Sequence, residues 1–342
     1  MNASGVRTRI VATVGPSMLT VDAISAAIDA GVSGFRIPLA RQPNRAIDLS
    51  HMVSRIAADM ASEIAIYLDV PGPKKILVIQ DEVPEALSGS LRVPVVGRSA
   101  FQGLSVGGMY LLSDSPQGYF DVGDTILLGD GETSLLVEDV SDQWLVLRPP
   151  VEGLEVGQFG VAVAGKEGHP AGAPLLNEAS AALVAQIPQA KLMLSFVESP
   201  EQIRETRAVL AGAGVGQPEL WAKVETCAGV ENLESVISTA DGVLLGRGDL
   251  LIDAGPLDYY RYERRVRDVL LGGQVPLMVG TQLWTASSRT SLPHRSELSY
   301  VCEWISAGVE SLLLSDETTV GRDPIRVIES LNSLIEQYSR VD

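Results

Sequence analysis

Short apolar runs recur along the chain with amphipathic stretches between them, the alternation expected of βα units around a parallel sheet. The strand candidates are residues 10–14, 34–39, 63–69, 191–196, 220–225, 242–246, 276–281 and 311–315. Helical periodicity follows at residues 21–29, 200–210, 261–271, 297–307 and 324–338, among others. No Gly-rich G-x-G-x-x-G turn follows the first strand, which counts against an open doubly wound sheet. Eight evenly spaced units and a terminal helix predict a closed (β/α)8 TIM barrel, class α/β.

The rhythm breaks between the third and fourth strands, where residues 77–165 alternate apolar and polar positions among Gly, Pro and Asp turns. DVGDTILLGDGETSLLVEDVSDQWLVL reads as two or three hairpin strands. The expected organisation is a barrel from residues 1–76 and 166–342 and a small β insert over 77–165. An insert after a barrel strand emerges at the C-terminal face, where barrel active sites lie, so it is expected to act as a lid.

Composition narrows the function classes. The 342 residues suit one barrel of about 250 residues plus a small insert. With 26 Lys and Arg against 43 Asp and Glu, the formal charge of -17 disfavours nucleic acid and anionic membranes as partners. A small anionic metabolite would need a locally positive pocket or a bound cation. Cys227 and Cys302 stand far apart without metal-ligand spacing and are expected as reduced, buried thiols. The opening MNASGVRTRIVATVG lacks the apolar region of a signal peptide, and no apolar run approaches the ~18 residues of a membrane span. A cytoplasmic protein is expected.

In a barrel, polar residues at strand C-terminal ends share one mouth. Here they are Arg36, Asp69, Ser195, Lys223, Glu225, Asp249, Thr281, Ser315 and Glu317. Lys223 and Glu225 lie two apart on one strand face, and Asp249 ends the neighbouring strand. Two carboxylates with open positions suit Mg²⁺ or Mn²⁺. Spacing alone leaves this level with two unrelated rim acids. Gly246 to Leu250 reads either as a turn into a short helix whose N–H groups receive a substrate carboxylate, or as a plain βα loop.

Several blocks, in order, then carry a resemblance over nearly the whole chain. RTRIVATVGPS, AKVETCAGVENL, DGVLLGRGDL, VGTQLW, PHRSE and LLLSDETTVGRDP resemble those of pyruvate kinases. The resemblance implies a divalent metal (Mg²⁺ or Mn²⁺) on Glu225 and Asp249 and Lys223 neutralising the phosphoryl group or enolate oxygen. It also implies a substrate carboxylate at Gly248 and Thr281, Arg36 facing the phosphoryl group, Ser195 kept beside the substrate, and a proton path through Thr281. A metal and a lysine together would stabilise the charge that develops on an enolate.

Against that pattern, Pro38 and Ala40 replace the oxygen-bearing residues that hold a monovalent cation, so K⁺ is expected to be dispensable, with Arg41 supplying a fixed charge instead. Ile76 replaces an arginine associated with nucleotide phosphates, Glu198 reverses another positive charge, and Lys74, Lys75 or a displaced Lys166 would have to compensate. The family's C-terminal regulatory domain is not expected. His294, before Arg295 in the loop after the seventh strand, is either a new acid or base or an exposed loop residue; His51 and His169 carry less weight. Helix packing in the family implies a homo-oligomer. The expected function is therefore a Mg-dependent enzyme acting on phosphoenolpyruvate, pyruvate or a related 2-oxo acid through an enolate, diverged toward carbon-carbon chemistry. The alternatives are phosphoryl transfer to ADP, for which nucleotide use is left open, and a non-catalytic metabolite sensor.

Overall fold

The computed structural model describes residues 7–39, 43–72, 75–80, 89–97, 108–112, 119–129, 131, 133–163, 175–271, 273, 275–290 and 292–339. Arg41, Lys74, Lys166 and His169 lie outside the described residues.

In chain order the first strands are β1 (Arg9–Thr13), β2 (Val32–Pro38) and β3 (Ala65–Val70). There follow β4 (Lys75–Ile79), β5 (Leu91–Val96), β6 (Met109–Leu112), β7 (Thr125–Leu128), β8 (Thr133–Val140), β9 (Trp144–Arg148) and β10 (Gly157–Val163). The last five are β11 (Lys191–Leu194), β12 (Leu220–Val224), β13 (Gly242–Gly246), β14 (Leu277–Gly280) and β15 (Ser311–Leu314). The helices are α1 (Val21–Asp29), α2 (Pro43–Asp59), α3 (Glu178–Val184), α4 (Pro200–Gly212), α5 (Cys227–Glu231), α6 (Leu233–Ile237), α7 (Arg247–Leu270), α8 (Thr285–Arg289), α9 (Arg295–Ser306), α10 (Asp316–Thr319) and α11 (Pro324–Tyr338).

Two compact units result: residues 1–72, 170–247 and 260–342, and residues 73–169 with 248–259. In the first, eight parallel strands close in the order β1-β15-β14-β13-β12-β11-β3-β2. The (β/α)8 barrel expected from the alternation is thus present. Helix starts agree with local chemistry: Ser199 caps α4 in a capping box with Gln202, and Pro200 takes the first helical position, where a missing N–H costs nothing.

One interior layer of this barrel is Val11, Tyr67, Met193, Trp221, Leu244, Met278 and Leu313, all nearly inaccessible. Tyr67 and Trp221 meet edge to face at 5.4 Å. Gly242 makes room for the indole, since a Cβ there would stand 2.5 Å from it. Side chains alternate along a strand, so the residue two positions further on points into the same interior one layer higher. That next layer is Thr13, Asp69, Ser195, Lys223, Gly246, Gly280 and Ser315. The core supports the polar mouth.

The second unit contains a closed seven-stranded barrel in the order β10-β4-β6-β5-β9-β8-β7, filled by residues such as Leu77, Val93, Leu111, Ile126, Leu135 and Leu145. It is antiparallel apart from the β5–β6 pairing. The hairpin-rich stretch in its middle forms β7, β8 and β9, paired in succession. One helical expectation holds in outline, and one for the thiols needs correcting. The short helix at Gly248 and the later one at Arg261 are parts of α7, interrupted where Gly255 takes φ +70° and Pro256 lacks the N–H for a continuous ladder. Cys227 and Cys302 form no disulfide, and both are half-buried rather than buried. Among the described residues no helix is long and apolar enough to cross a membrane.

Candidate active site

The polar layer is organised around Lys223. Its Nζ donates to Ser195 Oγ at 2.9 Å and stands 3.2 Å from both Asp69 Oδ1 and Glu225 Oε1. Ser195 passes the chain of bonds to the Val70 carbonyl at 2.8 Å. On the other side of Asp69, Arg36 donates to Oδ2 through Nη2 at 2.5 Å and Nε at 3.2 Å, and its Nη1 reaches Thr13 Oγ1 at 3.3 Å. Strand register explains the meeting, because β2 sets Pro38 beside Asp69 and β11 sets Met193 beside it.

The fourth corner is Glu225, 4% exposed. Phe196 adopts φ +57°, and its N–H donates to Glu225 Oε2 at 3.0 Å. Gly246 leaves the carboxylate its place, since a Cβ there would lie 2.5 Å from Glu225 Cγ and 2.7 Å from Oε1.

Electrostatics hold Asp69 and Arg36 ionised. Burial raises the cost of charge on Asp69, but Arg36 and Lys223, by attraction and hydrogen bonding, outweigh it and hold the carboxyl below the usual aspartate range. Burial likewise opposes the charge on Arg36, and Asp69, with Glu225 and Asp316 behind it, raises its pKa nonetheless. Two cations, Arg36 and Lys223, balance two carboxylates, Asp69 and Glu225.

A hard divalent cation would suit a buried carboxylate held in this way. Glu225 offers a fixed carboxylate in a cradle that only glycine leaves open; Asp249 stands in the first turn of α7, in the segment that groups with the inserted unit. Among the described residues no three His, Cys, Asp or Glu side chains form a ready metal cage. Water or substrate oxygens would have to complete the shell, as Mg²⁺ commonly requires.

The remaining candidates fall in different places. Thr281 follows β14 at φ +71° and Gln282 follows at φ +51°, consecutive left-handed residues without glycine. Gly248 and Asp249 belong to the segment that groups with the inserted unit. Ser315 N–H donates to Glu317 Oε2 at 2.8 Å, and Trp284 N–H donates to Glu317 Oε1 at 3.0 Å, so Glu317 fastens the loop after β14. Glu198 is buried and accepts from Thr226 Oγ1 at 2.9 Å, which ties its charge to the start of α5. His294 is exposed at the start of α9, its N–H donating to Glu297 Oε2 at 3.0 Å. Thr13, the contact of Arg36 on β1, was missed by sequence reasoning; its signal was the period-two alternation from Val11 to a polar strand end.

Comparison with known proteins bears on the family and the fold. The family model for the pyruvate kinase barrel domain matches residues 6–328. Pyruvate kinase 2 of Synechocystis sp. is 26% identical over 98% of this chain, and the pyruvate kinase of Methylorubrum extorquens is 27% identical over 98%. This chain spans 57% of the Synechocystis protein's length and 69% of the Methylorubrum protein's. The crystal structure of Cryptosporidium parvum pyruvate kinase has the same fold, with a TM-score of 0.83 at 20% identity, covering 98% of this chain and 72% of that one. Since the family model takes in nearly every residue from the first barrel strand into the last helix, the chain belongs to the pyruvate kinase family.

Proposed function

We propose that this protein binds a small anionic 2-oxo acid, pyruvate or phosphoenolpyruvate, together with Mg²⁺ or Mn²⁺, and carries negative charge on its enolate oxygen at Lys223. The observation behind this reading is the ammonium of Lys223, fixed by Ser195, Asp69 and Glu225 and 8% exposed. A cation fixed before reaction costs little reorganisation when charge develops next to it. Glu225 and Asp249 would hold the divalent ion, which when bound would polarise substrate oxygens as a Lewis acid. The substrate carboxylate would rest at Gly248 and Thr281, and Arg36 would face a phosphoryl group or second anion.

Within that reading the enolate serves carbon-carbon bond formation or cleavage rather than ADP phosphorylation. What favours this is the changed nucleotide side: Pro38 ends β2 without a side-chain oxygen, Ile76 stands second in β4 where the family carries an arginine, and the acidic Glu198 is buried against Thr226. K⁺ is dispensable on the same grounds. Arg36 favours the second reading, phosphoryl transfer from phosphoenolpyruvate to ADP, and so do the names of the relatives. A homo-oligomer is the proposed assembly.

Pyruvate in deuterium oxide with Mg²⁺ and no nucleotide should acquire deuterium in its methyl group by NMR, and Lys223→Met should slow this at least a hundredfold. Absence of exchange together with rapid ADP-dependent pyruvate release from phosphoenolpyruvate would establish the kinase reading instead.

A further inference from the structure

Two residues that follow barrel strands meet beyond the layer around Lys223. β13 and β14 are in register at Gly246 and Gly280, so Arg247 and Thr281 are the next residues on adjacent strands. Arg247 Nη1 donates to the Thr281 carbonyl at 2.6 Å. Arg247 is itself held: Nε lies 3.5 Å from Glu263 Oε2, and the guanidinium carbon lies 4.2 Å from the centroid of the Tyr300 ring. Glu263 comes from α7 and Tyr300 from α9, so the guanidinium joins two helices to one peptide group.

Thr281 needs such a hold. A β-branched residue at φ +71° is strained, and Gln282 at φ +51° extends the left-handed stretch. Neither residue type favours that conformation locally, so tertiary contacts must impose it. Downstream the loop is fastened by Glu317 through the Trp284 N–H and by the Trp284 indole donating to Ser330 Oγ at 2.8 Å. Upstream β14 is paired on both sides. Between these anchors lies the Thr281 peptide, and its carbonyl is the group that Arg247 takes.

We infer that Arg247 is a positioning residue for Thr281, holding its peptide left-handed so that Thr281 is presented to the substrate. The value of this to catalysis rests on the proposed function, whereas the conformational claim does not. A planar guanidinium bonds the carbonyl, faces Glu263 and stacks on Tyr300 together; lysine has the charge without the plane or the fork. Arg247→Lys should therefore keep part of the effect and Arg247→Met none.

The test labels threonine with ¹³C and ¹⁵N and assigns the Thr281 signal through Thr281→Ser. Arg247→Met should move the Thr281 Cα and Cβ shifts away from left-handed values while most other threonine signals hold. Methyl exchange of pyruvate should lose about 100-fold in kcat with KM changed less than threefold, and Arg247→Lys should lose about 10-fold. If Arg247→Met does not fold, Glu263→Gln, which leaves Arg247 in place but loosens it, should show the same shifts in smaller measure. Unmoved Thr281 shifts in a folded variant would overturn the inference, whatever happens to activity. A wild-type protein that turns over neither substrate would refute the proposed function while the shifts still judge the clamp.

Discussion

Removing the Asp69 carboxylate is the sharpest test of how the mouth is held together. Asp69 bonds Arg36 twice and faces Lys223 at 3.2 Å, with 8% of its surface exposed. Unit charges 3.2 Å apart attract by about 5 kcal/mol at an effective dielectric of ~20, and desolvation returns much of that. Asp69→Ala does not recover the desolvation, because it leaves two cations in place. Breaking a buried pair in this way costs about 3–5 kcal/mol. For a unit of this size each kcal/mol is worth about 2–4 °C, so the barrel should melt about 6–20 °C lower. Asp69→Asn, which keeps an acceptor for Arg36, should lose about half as much. The assay is tryptophan fluorescence in a Trp144→Phe background, since Trp221, Trp284 and Trp304 all report on the barrel unit. Adding Lys223→Met to Asp69→Ala should recover about 1–3 kcal/mol relative to additivity, because one stranded cation is gone. A melting loss below about 3 °C, or strict additivity in the double variant, would refute the shared-carboxylate account.

Three further outcomes follow from the same geometry. Asp69 has a depressed pKa, so its contribution is complete above the ordinary aspartate value of about 3.9 and fades as pH falls toward the lower native value; acid melting of wild type should steepen below about pH 4, and Asp69→Asn should lack that component. Tyr67 is pushed up to about 12 by burial, so its share of stability is present below pH 10 and lost between about 10 and 12; ultraviolet titration should show a late tyrosine component near pH 12 that Tyr67→Phe removes. Gly246→Ala should drive a methyl into the Glu225 carboxylate and strain its bond from Phe196, weakening Mn²⁺ binding by about 10- to 100-fold in electron paramagnetic resonance titrations, and unchanged affinity would remove Glu225 from the metal site.

Much of the architecture was legible in the linear pattern because barrel strands are short, apolar and regularly spaced, and that spacing needs no tertiary information. The polar strand ends were equally visible, since period-two alternation places Lys223 above Trp221 and Asp69 above Tyr67 whatever the exact closure. Strand limits shifted by a residue or two where ladder pairing decides, as at β2, which starts at Val32. The seven-stranded closure of the insert was not legible, because its order joins β10 to β4 and β9 to β5 across long stretches of chain. Nor was the pairing inside the mouth. Sequence spacing places Arg36, Asp69 and Lys223 at one level, but only register and rotamer decide that Asp69 serves both cations and that Glu198 turns to Thr226. The clamp of Arg247 on Thr281 lies furthest from the sequence. A positive φ at threonine contradicts local preference, and a conformation imposed against propensity can be read only from the contacts that impose it.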